Sequence, residues 1–199
     1  YEYNPENLER GKGWNLSTDG SHGAIIPAEV VWQPIVGVSK LPGEYRFGYY
    51  YSTADAAEIL HPEQTSHKQG VWIVAKQQLT AHNGDKTRGL TGFVNVTVHD
   101  SDTNRVGNMQ NAGLVYKGAF DTRPKDEIAF GISRISINDD VNDIQTRQQD
   151  DEYNAEIYYG VHATNWLTIR PNVQYIRHVG AYKNGENAWV GGIKLQTAF

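Results

Sequence analysis

The side chains able to do chemistry recur at alternate positions in short stretches. Glu44-Tyr45-Arg46, Glu156-Ile157-Tyr158 and Arg170-Pro171-Asn172-Val173-Gln174 each set charged, amide or phenolic groups two residues apart. Glu29, Tyr50, Trp72 and Lys76 stand in similar alternating surroundings. Carboxylates, cations and amides mixed with Tyr and Trp suit the recognition of sugars. Hydroxyls exchange hydrogen bonds with Arg, Glu and Gln, and the face of a sugar ring packs on an aromatic ring. A hydrated wall, whose charges pair and tune ion flow, uses the same residue types. The residues alone leave both open.

Other chemistries find little support. Without cysteine there is no disulfide framework and no zinc–thiolate site. The seven histidines never take the HExxH or another ligand spacing, and no GxSxG or nucleophile–base pair stands out. The chain is therefore not expected to be an enzyme, nor to carry a metal or cofactor. Asp100-Ser101-Asp102-Thr103-Asn104-Arg105-Val106-Gly107 resembles the start of a calcium loop but lacks the closing glutamate, and reads as a solvated loop. The Asp139, Asp140, Asn142 and Asp143 group reads the same way. With 18 Lys+Arg against 23 Asp+Glu, interspersed for a net charge of −5, nucleic acid is not an expected partner.

These groups must be held by strands, because the chain alternates apolar and polar residues in stretches of about ten. Successive stretches read Ala24, Ile26, Ala28, Val30, Trp32; then Tyr45, Phe47, Tyr49, Tyr51; then Val71, Ile73, Ala75, Leu79; then Val94, Val96, Val98. Later ones read Ala112, Leu114, Tyr116; Tyr153, Ala155, Ile157, Tyr159, Val161; Leu167, Ile169, Val173, Tyr175; and Trp189, Ile193, Leu195. One segment, Glu127–Ile137, switches parity between Ile132 and Ile135; a β-bulge there would keep Arg134 on the polar face. Helical signals are almost absent, and the best candidate is Thr53–Leu60, stopped by Pro62. The pattern predicts an all-β chain: residues 1–21 as loop, then about nine strands over 22–199.

Two architectures accept such strands, a soluble β-sandwich, as in a carbohydrate-binding module, and a transmembrane antiparallel β-barrel. The connections at 53–69, 100–107, 138–150 and 179–186 are mostly longer than those between them, as in barrels of the bacterial outer membrane. The apolar faces carry Ala and Gly beside Tyr, Trp and Phe near strand ends, which suits lipid and its interfacial belts better than a packed core. Trp32, Tyr45, Tyr51, Tyr116, Phe120, Tyr153, Tyr175 and Trp189 would form those belts. The final strand runs to Phe199, resembling the terminal aromatic signal of outer-membrane proteins that the barrel-assembly machinery reads. The polar faces then line a lumen. They collect Arg46, Lys76, Lys117, Arg134, Arg170 and Lys194 against Glu29, Glu44 and Glu156, a positive excess in a negative chain.

Particular stretches resemble the carbohydrate-selective porins, the OprB family. They are Gly20-Ser21-His22-Gly23-Ala24-Ile25-Ile26-Pro27-Ala28-Glu29-Val30, Leu41-Pro42-Gly43-Glu44-Tyr45-Arg46-Phe47-Gly48-Tyr49-Tyr50-Tyr51-Ser52, Tyr153–Gly160 and Leu167–Tyr175. After Tyr175 the family commonly reads Ile-Asn-Pro-Gly-Gly, where this chain has Ile176-Arg177-His178-Val179-Gly180. The resemblance implies an outer-membrane porin of about 16 strands, assembled as a homotrimer, of which this chain is the C-terminal half. It implies passive diffusion of glucose, related monosaccharides and polyols, with outer-membrane lipid and lipopolysaccharide around the barrel. Within that reading Glu29, Glu44, Arg46, Lys76, Glu156, Arg170 and Gln174 are expected to contact sugar in the lumen, with Tyr50, Trp72 and Tyr158 as stacking surfaces. A nonspecific or anion-leaning porin is the alternative within the same class.

Overall fold

The computed structural model describes Gly20 and residues 22–198, so most of the expected opening loop and Phe199 lie outside the described residues. Ten strands make one antiparallel sheet: β1 (Ile25–Trp32), β2 (Ile35–Val36), β3 (Leu41–Ala57), β4 (Thr65–Gln78), β5 (Gly89–His99), β6 (Val106–Lys117), β7 (Glu127–Ile137), β8 (Glu152–His162), β9 (Leu167–Arg177) and β10 (Ala188–Thr197). Their spatial order follows the chain, as expected for strands joined by short connections. The two-residue β2 pairs only with the start of β3. One short helix, α1 (Asp140–Ile144), lies in the β7–β8 connection. β1 and β10 are not paired with each other among the described residues.

The two faces differ in kind. One carries Val30, Phe47, Ile73, Leu114, Phe130, Ile157, Val173 and Ile193, all substantially exposed, with Ile193 at 73%. The buried apolar residues, Leu41, Ala54, Ile59, Ala129, Val141 and Ala181, sit mostly at the two ends of the sheet. No second sheet packs on either face among the described residues, so the β-sandwich alternative does not describe this chain. An apolar surface of this extent is unstable in water and calls for an apolar neighbour. The expected belts bracket it. Trp32 packs tilted against Tyr45 at 5.4 Å near one end, and Tyr175 against Trp189 at 4.9 Å near the other. Lipid fits that surface.

Two local expectations give way. Thr53–Ala57 is strand, not helix: after a register shift between Tyr51 and Asp55, Asp55 pairs with His67 and Ala57 with Thr65. So short a segment gains little from helix nucleation, whereas β4 runs alongside and supplies ladder partners. The expected long loop at 53–69 shrinks to residues 58–64. In β7 no bulge appears; its residues pair one for one from Glu127 to Ser136, and the irregularity falls in β6 between Val106 and Asn108. Parity set by Ile128, Phe130 and Ile132 therefore carries through to Arg134, which is level with Gln110 and Tyr153 on the outer face. Near the strand end it binds Asp151 at 2.6 Å. Ile135 takes the inward position instead, level with Met109.

The connections hold themselves. Both carboxylate oxygens of Asp100 accept protein donors, from Gln69, Thr103 and Asn104, so the calcium-like stretch is a self-satisfied turn. At the opposite rim Asp126 is buried and accepts from Arg123, Tyr159 and the His162 backbone. Burial pushes its carboxyl up, but the bonds to Arg123, His162 and Tyr159 outweigh that and hold it below the usual range.

Candidate functional site

The inner face is concave. A hollow of about 770 Å³ is lined by residues from Glu29 on β1 to Gln174 on β9, which requires the sheet to curl around it. Register dictates who meets whom. Glu29, Gly48, Trp72 and Thr97 share one cross-strand row, and Glu44, Lys76, Phe93 and Gly113 share another.

The first cluster joins β1, β3 and β4. Arg46 donates through Nε and Nη2 to Glu44 Oε1 at 2.9 and 2.7 Å, and through Nη1 to Glu29 Oε1 at 3.4 Å. Glu29 Oε2 also accepts the Trp72 indole N–H at 2.7 Å, and Glu44 Oε2 accepts Gln33 Nε2 at 2.7 Å. Trp72 lies over Gly48, where a Cβ would fall within the indole ring. The guanidinium is thus oriented by two carboxylates, yet its side chain stays 40% exposed to the hollow. Such a site offers both donors and acceptors to a hydroxylated solute.

The second cluster joins β7, β8 and β9. Arg170 Nη2 binds Glu127 Oε1 at 2.8 Å, and the Tyr158 hydroxyl donates to the same oxygen at 3.1 Å. The guanidinium also sits 5.4 Å from the Tyr158 ring centroid, a cation–π contact. Glu127 reaches its partner across Gly160, where a side chain would meet its Cγ at 2.7 Å. Beside it Gln174 donates to Glu156 at 3.0 Å.

The hollow brings together Glu29, Glu44, Arg46, Lys76, Glu156, Tyr158 and Gln174. Trp72 joins through Glu29, while Tyr50 lies nearer the rim formed by the 58–64 and 100–105 connections, bonded to His99 Nδ1 at 2.7 Å. Arg170 stands apart, in the second cluster. Glu127 and Phe93 are inner-face residues that escaped the sequence reading. Glu127 was passed over, although the alternation of Ile128, Phe130 and Ile132 already places it on the polar face with Ala129 and Gly131. Phe93 was hidden because an aromatic residue on an inner face breaks the simple polar rule. Register keeps Arg46, Lys76, Lys117, Arg170 and Lys194 inside with Glu29, Glu44, Glu127 and Glu156, while Lys68 and Glu152 face the same way near one rim. With Arg134 outside and Glu127 inside, the expected positive excess shrinks to a single charge.

Comparison with known proteins agrees with this geometry. The model of the carbohydrate-selective porin, OprB family, matches residues 1–199. Porin B of Pseudomonas aeruginosa is 49% identical over 229 residues, covering 100% of this chain and 50% of that protein. The putative porin QuiX of Acinetobacter baylyi is 36% identical over 223 residues, covering 100% of this chain and 51% of its own length. A high-pH structure of Pseudomonas putida OprB matches with a TM-score of 0.91 at 50% identity, covering 100% of this chain and 54% of that one. A low-pH structure of OprB from the same organism gives 0.66 at 50% identity, over 89% and 47%. This chain spans about half the length of the relatives it matches. Its apolar outer face is the one a porin turns to lipid, and its place is the bacterial outer membrane. On a match that runs from end to end, in sequence and in fold, this chain belongs to the OprB family of carbohydrate-selective porins.

Proposed function

We propose that the complete protein is a passive channel for small sugars and polyols, and that residues 1–199 are the C-terminal part of its single barrel domain. A lone sheet with two open edges is prohibitive in lipid, so β1 and β10 pair with strands of the remainder. Diffusion runs down the solute gradient, without catalysis or cofactor. The observation that carries the reading is Arg46 held between Glu29 and Glu44, all three facing one hollow, with the Trp72 indole bonded to Glu29 beside them. With Lys76 level with Glu44, two cations offset the two carboxylates, so a passing ion meets little net attraction. A sugar still finds acceptors on the carboxylates, donors on the guanidinium and a ring face to pack against.

Within that reading Glu29, Glu44, Arg46, Lys76, Glu156 and Gln174 exchange hydrogen bonds with sugar hydroxyls. Tyr50 and Trp72 offer ring faces, and Arg170 with Tyr158 shapes the opposite wall. The near balance of inner charges speaks against an anion-leaning porin. A homotrimer, surrounding lipopolysaccharide and delivery by the barrel-assembly machinery through Phe199 belong to the same proposal; cross-linking of the complete protein in native membranes checks the first. Liposome swelling tests the function: the complete protein should admit glucose clearly faster than an amino acid of equal size. Equal rates would mean simple sieving.

A further inference from the structure

Three aromatic rings on the inner face are mounted alike. Trp72 stands directly across from Gly48, Tyr50 from Gly70, and Phe93 from Gly113. A Cβ at Gly70 would lie 2.6 Å from the Tyr50 ring, and one at Gly113 would lie 2.7 Å from the Phe93 ring. At Gly48 it would fall inside the Trp72 indole. Phe93 reaches further: its Cζ is 4.0 Å from where a Cβ of Gly131 would stand, and Gly131 lies directly across from Gly113. Each ring therefore leans over cross-strand glycine backbone instead of standing out from the wall. A ring lying down narrows the bore less and turns one π face toward it.

Phe93 is the informative case. Trp72 and Tyr50 are anchored by polar bonds to Glu29 and His99, whereas Phe93 has no polar atom and rests on its glycine floor alone. It is half-buried and borders the same hollow as Glu44, Lys76, Asn95 and Asn111. Asn95 Oδ1, two residues away, has no donor among the described residues. An uncovered hydrocarbon face amid polar groups loses hydration cost whenever an apolar surface covers it. We infer that Phe93, held flat on Gly113 and Gly131, is a specificity-determining platform for the C–H face of a sugar ring. Neighbouring polar groups take the ring's hydroxyls. The inference rests on the sugar-channel reading and assigns it a residue outside the charged cluster.

The test is glucose titration of single-channel current through the complete porin in planar bilayers, with wild type, Phe93→Ala, Phe93→Leu and Phe93→Tyr. Phe93→Ala and Phe93→Leu should weaken glucose block roughly two- to tenfold, the worth of one aromatic contact, without lowering salt conductance. Phe93→Tyr should keep the block. If Phe93→Leu blocks as wild type does, bulk and not the ring face is at work, and the platform is wrong. Unchanged block in Phe93→Ala overturns it equally. A wild-type channel that glucose never blocks would instead overturn the sugar reading, and the platform with it.

Discussion

Arg46 and Arg170 share the inner face of one sheet, each with a carboxylate and an aromatic ring, yet they are differently committed. Arg46 is oriented by Glu29 and Glu44 and remains 40% exposed. Arg170 is only 23% exposed, covers the Tyr158 ring, and binds a Glu127 that leans across Gly160 to meet it. The same chemistry thus makes an available surface in one place and a strut between strands in the other. What differs is the wall beneath: β3 and β4 lay their aromatic ring on Gly48 and leave the cation free, while β8 uses its glycine to bring the carboxylate across.

The largest effect should come from breaking the strut. Arg170→Ala leaves the mostly covered Glu127 carboxylate and the Tyr158 hydroxyl without their cation, and should cost about 2–3 kcal/mol in denaturant unfolding of the complete protein. Gly48→Ala should come next, at about 1–3 kcal/mol, because the new methyl displaces the indole. In the Gly48→Ala/Trp72→Ala double variant most of that cost should vanish, since the three atoms nearest the added Cβ all belong to Trp72. Arg46→Ala should leave stability close to wild type, as exposed pairs do, and act instead on solute passage. Smallest of all, Arg134→Ala should leave ion selectivity in a salt gradient unchanged, because that guanidinium faces outward toward Asp151. A clear selectivity change there would return Arg134 to the lumen.

Most of the sheet was legible because lipid and water impose opposite demands on alternate residues, and eight of the nine expected long strands state that alternation plainly. The first cluster could be read from Glu44 and Arg46 two residues apart, although the link through Glu29 and Trp72 depends on register between strands distant in sequence. β7 was misread because Ile135 faces inward and Arg134 outward near a strand end, where neither solvent enforces the rule. Glu127 keeps its polar parity in either reading, but its role as the partner of Arg170 depends on β8 lying between the two, which one strand's sequence does not state. Phe93 was not legible, because its position makes sense only with Gly113 opposite, two strands' sequences read together. The extension of β3 through Thr53–Ala57 was hidden by an alanine-rich stretch whose conformation its neighbour β4 decides.

The difference between the two arginines makes the central claim measurable in one experiment. Glucose block of single-channel current should be read side by side in the complete wild-type porin and Arg46→Ala. The account predicts saturable block in wild type and a several-fold weaker block in Arg46→Ala, with salt conductance equal or higher. Equal block in the two channels would contradict it, and would move sugar recognition away from the Glu29–Glu44–Arg46 cluster.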